Sequence, residues 1–243
     1  MLIVSTVGIL LILMISYLLI RQNRIKAKHK AIELEQRLLR SQMNPHFIFN
    51  SLIAIQSYIY KKEPVLAGDY LAKFAELVRL TLENSRVEFV LLDSEIKTLK
   101  AYLELQVLRF ENKFEYAIDV DEKISIENMM MPPMFTQPFI ENAIEHGLRH
   151  KQDKGYLKIG YFLKSDRCIV ITIEDDGVGR EKARDIETKK QHQSLAISIT
   201  KERLSILRKK YNYRFLLEVI DLKDKYGHPC GTKIRIALPY KLT

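Results

Sequence analysis

Ser41-Gln-Met-Asn-Pro-His-Phe-Ile-Phe-Asn-Ser-Leu52 decides how the rest of this chain is read. It sets His46 directly after a proline, inside a pattern that otherwise reads as helix. Ile48, Leu52, Ile55 and Ile59 recur at helical spacing and make one apolar face. His46, Asn50 and Ser57 fall on a different, more polar stripe, so the imidazole is expected to point away from the seam and stay reachable. Pro45 disfavours helical geometry at Asn44. Either Asn44 caps a new helix with Pro45 as its first residue, or a longer helix kinks here. The kink is the favoured expectation, because the residues before Asn44 also read as helix. A lone helical histidine is ordinarily a solvated side chain with no task, and only the remainder of the chain changes that weighting.

The 243 residues allow one large domain or two small ones, and 47% hydrophobic with 28% charged residues places the chain among globular rather than disordered proteins. The formal net charge of +9 raises nucleic acid as a partner, but the excess is partly local. Arg21 to Arg40 holds seven Lys or Arg against two Glu. That block follows an apolar run, so a membrane surface accounts for it better than a duplex, and no nucleic-acid reading motif accompanies the charge. Cys168 and Cys230 stand alone, without CxxC or ligand-spaced histidines, which points to free thiols in a reducing compartment and away from zinc.

Leu2 to Ile20 carries no charge over 19 residues, a length that spans roughly 28 Å as a helix, close to the hydrocarbon thickness of a bilayer. Arg21, Arg24, Lys26, Lys28 and Lys30 follow and place the C-terminal side in the cytoplasm. A cleaved signal peptide fits poorly, because the basic residues come after the apolar run and no Ala-x-Ala site appears. With only Met1 ahead of the span, no extracytoplasmic sensor domain is expected on this chain. Ala27, Ala31, Leu34 and Leu38 form a short coiled-coil-like seam or an ordinary amphipathic helix.

Lys61-Lys-Glu-Pro64 breaks the pattern. A second helix is expected over about 65–85, with Leu71, Phe74, Ala75, Val78 and Leu82 on its packing side. Two helices with a short link read as an antiparallel hairpin, and two hairpins from two chains would make a four-helix bundle. Asp93 reads as the cap of a third helix to about Phe110. From Lys113 the period changes to that of a strand. A helix over about 138–147 follows Pro132 and Pro133, then strands near 156–163 and 168–174. A polar stretch covers 177–193, a helix 195–210, and two last strands lie near 215–221 and 232–238. Strands interleaved with helices suggest a two-layer α/β sandwich.

Three pieces of the second half carry chemistry. Gln137-Pro-Phe-Ile-Glu-Asn-Ala-Ile-Glu-His-Gly147 sets Glu141, Asn142, Glu145 and His146 on the polar side of a helix whose other side is apolar. An Asn amide oxygen can ligate Mg²⁺ alongside waters and substrate phosphates, although such a face is as often merely solvated. Asp175-Asp-Gly-Val-Gly179 follows an apolar strand. A carboxylate there can accept a hydrogen bond from an exocyclic amine such as that of adenine, and the glycines let backbone approach a ligand closely. Gly231-Thr-Lys-Ile-Arg-Ile-Ala-Leu-Pro239 is a turn into a strand. No GxxxxGK[ST] loop exists in the chain, so any ATP site is not of that kind.

In order and spacing these pieces resemble a known family. Asn-Pro-His-Phe-Ile-Phe-Asn at 44–50 resembles the phosphoacceptor motif of the LytS/YehU-like sensor histidine kinases. Gln-Pro-Phe-Ile-Glu-Asn-Ala at 137–143 is similar to that family's N box, Asp175–Gly179 to its G1 box, and Gly231-Thr232 to the last box of the GHKL ATPase fold. Tyr102-Leu-Glu-Leu-Gln-Val-Leu-Arg-Phe110 resembles the segment between the family's two domains. The resemblance covers roughly residues 20 to 240. Added to the transmembrane helix at 1–20 and the juxtamembrane linker at 21–40 read above, it implies an α+β protein with dimerisation and phosphoacceptor helices at 41–112 and a GHKL (Bergerat-like) ATP-binding domain at 113–243. It further implies His46 as the phosphorylated residue and Asn142 as the Mg²⁺ ligand, with His146 and Gly147 near the nucleotide. Asp175 would read adenine with support from Thr232, and Gly177 and Gly179 would flank a mobile lid.

The function so implied is a homodimeric, single-pass kinase of the bacterial cytoplasmic membrane, its catalytic part in the cytoplasm. It would autophosphorylate from ATP and pass the phosphoryl group to a response regulator, of LytTR type by the same resemblance. A phosphatase role for Asn50, one turn beyond His46, is a further expectation. The sequence departs from the family at its second glycine box, which here reads Ser194-Leu-Ala-Ile197; separately, many histidine kinases carry an acid directly after the histidine, where Phe47 stands here. The lost glycines keep open an ATP-binding module without transfer. A GHKL ATPase is the weaker alternative, since Pro138 occupies the place of that fold's usual water-activating carboxylate.

Overall fold

The computed structural model describes residues 45–85, 87–165, 167–186 and 216–243, together with the helical positions 14, 17, 21 and 22. The expected membrane span at 2–20, the linker at 21–40, the kink before Pro45, the departure at 194–197 and the helix at 195–210 lie outside the described residues. Among those described, no helix is long and apolar enough to cross a membrane. Pro45–Thr243 forms one compact unit and Met1–Asn44 another.

Two helices open the compact unit, α1 (Pro45–Tyr60) and α2 (Pro64–Ser85), joined by a tight link in which Lys62 takes φ +60°. The proline at the start of α2 fits the first helical turn, where an N–H has no partner to lose. The seam that packs within the chain is not the expected one. On α1 it is Phe47, Ser51, Ala54 and Tyr58, with Ile55 shared, while Leu52 and Ile59 remain 50% and 61% exposed. On α2 it is Ala67, Tyr70, Phe74, Leu77, Thr81 and Asn84, while Leu71 and Leu82 face out. Aromatic and polar partners explain the rotation. Phe47 packs on Phe74 and Tyr102 with ring centroids 6.1 and 5.2 Å away, and the Tyr58 hydroxyl donates to the Leu108 carbonyl at 3.2 Å. Asn84 donates to Thr98 Oγ1 at 2.9 Å and accepts from Ser94 at 3.0 Å. Those hydrogen bonds make its burial tolerable.

A short strand β1 (Val90–Leu91) runs straight into α3 (Leu92–Arg109). Asp93 is therefore inside the first turn and not the cap, a place held by Leu91. Its charge still suits the positive helix end, and it pairs with Lys97 at 2.7 Å. The apolar side of α3, with Leu92, Leu99, Leu103 and Leu105, is buried.

Strand β2 (Phe114–Val120) begins a five-stranded sheet, followed by β4 (Gly155–Ser165), β5 (Cys168–Asp175), β6 (Leu216–Lys223) and β7 (Pro229–Pro239), in the order β2-β4-β5-β7-β6. All pairs are antiparallel except β2 with β4. A parallel pair needs a crossover, and the chain supplies it through β3 (Met129–Met131) and a helix, α4 (Gln137–Asn142). That helix continues into a π-turn over Ala143–Leu148. Sequence periodicity sees one helix there and not the wider turn. One sheet face, with Leu157, Ile159, Ile171, Ile173 and Ile236, packs on Phe139, Ile140 and Ile144. The other carries a small buried cluster, Cys168, Val170 and Ala237 with Leu216 against it, and is elsewhere crossed by ion pairs such as Lys158–Asp119 at 3.0 Å and Lys233–Glu174 at 2.9 Å. The expected two-layer sandwich is thus present. A second sheet, β1-β3-β8 with β8 at Lys241–Leu242, is too short to be seen in the pattern. Within the expected polar stretch 177–193, a short helix α5 (Arg180–Ile186) forms. Cys168 and Cys230 are both free thiols.

Candidate nucleotide site

Asp175 is the last residue of β5, paired across the ladder with Thr232 of β7. It is 4% exposed, and a carboxylate so buried is costly unless hydrogen-bonded or neutralised. Burial pushes its pKa up to about 7, with Asp176 and Glu174 adding to the rise, while the backbone N–H groups of Gly177 and Thr232 work against it. The Gly177 N–H donates to Asp175 Oδ1 at 3.0 Å.

Above this carboxylate the backbone is bare by necessity. A Cβ placed on Gly147 would lie 2.8 Å from Asp175 Oδ1, and one on Gly177 would lie 2.5 Å from the Gly147 carbonyl carbon. Both positions demand glycine for close approach. The Val178 N–H donates to the Gly147 carbonyl at 3.3 Å, which closes the contact between the π-turn and the Asp175–Gly179 loop. Gly179 turns the chain at φ +77° towards Pro229. Of the residues expected from the sequence, Gly147, Asp175, Gly177 and Thr232 are therefore brought together. Asn142 closes α4, and half-buried His146 lies inside the π-turn directly before Gly147. His46 and Asn50 lie on α1; the placement of the His46 side chain is outside what the structure describes.

Asp176 was not singled out in the sequence. Its Oδ1 accepts the Tyr156 N–H and its Oδ2 the Lys151 ammonium, both at 2.7 Å, so it ties the site loop to the start of β4. The doubled Asp175-Asp176 was the available signal. Glu145 accepts from Arg109 of α3 at 2.6 Å and from Arg149 at 3.3 Å. It is an ion-paired residue rather than a member of a solvated face.

Among the described residues no group of three or more His, Cys, Asp or Glu side chains could hold a metal ion. Asn142, five residues before Gly147, carries an amide oxygen of the kind Mg²⁺ takes alongside waters and nucleotide phosphates.

The helical hairpin carrying His46 thus adjoins a sandwich with a glycine cradle beside a buried carboxylate. Residues 34–114 match the model of the family described as histidine kinase. The chain is 34% identical over 157 residues to sensor protein LytS of Oceanobacillus iheyensis, covering 65% of this chain and 26% of that protein. It is 28% identical over 148 residues to sensor histidine kinase/phosphatase LytS of Staphylococcus aureus strain MRSA252, covering 61% and 25%. The solved histidine kinase domain of the blue-light activated kinase from Erythrobacter litoralis EL346 superposes with a TM-score of 0.47 at 13% identity, covering 86% of this chain and 95% of that one. The chain is related to the LytS-like sensor histidine kinases, and it spans about a quarter of the length of the two LytS proteins it matches.

Proposed function

We propose that this chain is the kinase core of a two-component system, which autophosphorylates His46 from ATP and hands the phosphoryl group to an aspartate of a response regulator, of LytTR type by resemblance. The observation that carries the reading is the buried Asp175 carboxylate under Gly147 and Gly177, adjoining the helix that ends in Asn142. Asp175, with Thr232 beside it, accepts the adenine amine. Gly177 and Gly179 give the backbone turn that passes the phosphates, and His146 and Gly147 line the nucleotide. Asn142 holds Mg²⁺, which supplies charge neutralisation to the phosphates. A ring nitrogen of His46 forms the bond to the γ-phosphorus as the bond to the bridging oxygen breaks. ADP leaves with that electron pair, and the imidazole loses a proton. Such a transfer is mostly positioning and charge stabilisation.

Along the chain the regions are a membrane span at 1–20, a linker at 21–40, the dimerisation and phosphoacceptor helices at 41–112 and the ATP-binding part at 113–243, whose core reaches back into α3. The hairpins of two chains pair, and the uncharged run Leu2–Ile20 anchors the kinase to the cytoplasmic membrane with its catalytic part inside. Equal solubility of the full chain and a version starting at Arg21 would remove the anchor.

The test is labelling with γ-labelled ATP and Mg²⁺ beside a binding titration. His46→Gln should bind ATP like the parent and take no label. Asp175→Asn should lose about ten- to a hundredfold in affinity, the worth of a charge-assisted hydrogen bond. Asn142→Ala should fail in transfer. The label should be acid-labile and base-stable, as a phosphoramidate is. Asn50→Ala should spare labelling while slowing dephosphorylation of the regulator; equal rates would remove the phosphatase role. Label persisting on His46→Gln overturns the acceptor. Tight ATP binding by an unlabelled parent would instead make the chain an ATP-binding interaction module.

A further inference from the structure

Glu95 is a carboxylate inside the core, 3% exposed, on the face of α3 that meets the segment leading into α4. Both of its oxygens lie 3.0 Å from the Met134 backbone nitrogen, and the Thr136 hydroxyl donates to Oε1 at 3.4 Å. Met134 has φ +57°, a left-handed conformation that a non-glycine residue seldom takes without something holding it. Thr136 stands at the N-cap of α4, yet its side chain makes no capping hydrogen bond. Its hydroxyl is directed to Glu95 instead of to the helix it precedes.

The far end of the same helix is held as well. Arg109 closes α3 and binds Glu145 at 2.6 Å, with both side chains largely buried. Glu95 meets the segment that leads into α4, and Arg109 meets the π-turn that continues it. Tyr102, on the same stripe of α3 between these anchors, takes the Phe47 ring at 5.2 Å. Phe47 is the residue after His46. One helix thus touches the residue beside the acceptor and fixes both ends of the helix that carries Asn142.

We propose that Glu95 is a positioning residue for the metal-bearing Asn142: through the Met134 N–H and the Thr136 hydroxyl it sets the register of α4 against α3, with the Arg109–Glu145 pair fixing the other end. The inference rests on the assignment of Mg²⁺ to Asn142 above. Glu95 touches neither nucleotide nor acceptor and acts only through the loop it holds. Replacing it with an amide leaves one oxygen to accept the Met134 N–H, puts an NH2 in place of the other and removes the charge from both bonds, so the loop is held less firmly and α4 loses its register. A helix displaced by a fraction of an ångström still leaves Asp175 on β5 to read adenine, but it moves the amide that faces the phosphates.

The experiment is calorimetric titration of the full chain with ATP, once in EDTA and once in Mg²⁺, for the parent, Asn142→Ala, Glu95→Gln, Thr136→Val and Thr136→Ser. In the parent, Mg²⁺ should tighten binding, and Asn142→Ala should lose that gain. Glu95→Gln should keep its metal-free affinity within about twofold of the parent while the gain from Mg²⁺ falls about tenfold. Thr136→Val should show the same split more weakly, and Thr136→Ser, which keeps the hydroxyl, should behave as the parent. If Glu95→Gln does not fold, the Thr136 pair decides alone. An undiminished gain in Glu95→Gln, with the gain lost in Asn142→Ala, overturns the proposal and leaves the metal assignment standing. Metal-free affinity falling as far as the metal-dependent affinity makes Glu95 a structural anchor only and also overturns it. A gain that survives in Asn142→Ala removes the metal assignment, and the proposal with it.

Discussion

At the scale of single residues, Asp175 is the group whose state should change near neutrality. Its pKa is pushed up to about 7, first by burial. In the unfolded chain the carboxyl returns to the ordinary range near ~4. Between those two values the native state binds more protons than the unfolded state, so stability falls as pH rises through that window and is level above it. Nucleotide-free parent should therefore lose stability relative to Asp175→Asn between pH 5 and 8, by on the order of 2 kcal/mol. Denaturant melts at the two pH values check this, and parallel slopes would refute it. Affinity for ATP should move the other way, rising from pH 6 to 8 as the acceptor ionises, and staying flat in Asp175→Asn. Asp175 and its glycines could be found in the sequence because Asp-Asp-Gly-Val-Gly follows directly on an Ile- and Val-rich strand. Glu95 could not. Its partners are a backbone N–H 39 positions away and a hydroxyl 41 positions away, and a glutamate near the start of a helix reads as solvated.

Among the elements, α1 and α2 show how periodicity can find a helix and its apolar stripe without telling whether that stripe packs within the chain or outside it. Both helices carry apolar residues on two faces. The Leu and Ile stripe is the more regular in sequence, but the intrachain seam went to Phe47, Tyr58 and Tyr70, which offer larger surface and aromatic partners. Ser51, a hydroxyl residue outside the apolar pattern, is fully buried on this seam. The displaced stripe is then left for another surface. Leu52 and Ile59, with Phe49 65% and Ile53 60% exposed beside them, make an outward apolar face on α1, and Val65 and Leu71 add to it on α2. A patch of this kind marks an interaction site, and a second hairpin is the natural cover. Leu52→Asp with Ile59→Asp should sediment as a monomer and keep its helical signal, because both side chains are exposed in the single chain. A dimer of unchanged strength would put the interface elsewhere. The strands were easier to read than the helices: β2 was legible from alternation, since at this edge of the sheet Glu115 and Asp119 lie exposed between more buried neighbours. The π-turn and the three short strands β1, β3 and β8 left no periodic signal to read.

For the whole molecule, the question is where the ATP-binding part begins. The change of period at Lys113 marks where helix gives way to strand, and a boundary there is the natural reading of the sequence. The core does not divide at that point. One continuous cluster runs from Tyr70 and Leu77 through Leu103 and Leu105 to Phe139, Ile144 and Ile171. Strand β1 pairs with β3, and Glu95 and Arg109 of α3 reach across to the α4 helix. Removing everything before residue 113 strips away Leu92, Tyr102, Leu103 and Leu105, each 2% exposed or less. At ~1.5–3 kcal/mol for each buried side chain, that is roughly 6–12 kcal/mol. The whole stability of an ordinary domain is about 5–15 kcal/mol. Residues 113–243 alone should therefore be unfolded or aggregated, whereas residues 88–243, which keep β1 and α3, should unfold cooperatively and retain ATP binding without any acceptor histidine. Urea melts of the two pieces followed by circular dichroism decide it. A cooperative transition for 113–243 at the midpoint of 88–243 would mean that α3 belongs to the hairpin and only leans on the sandwich.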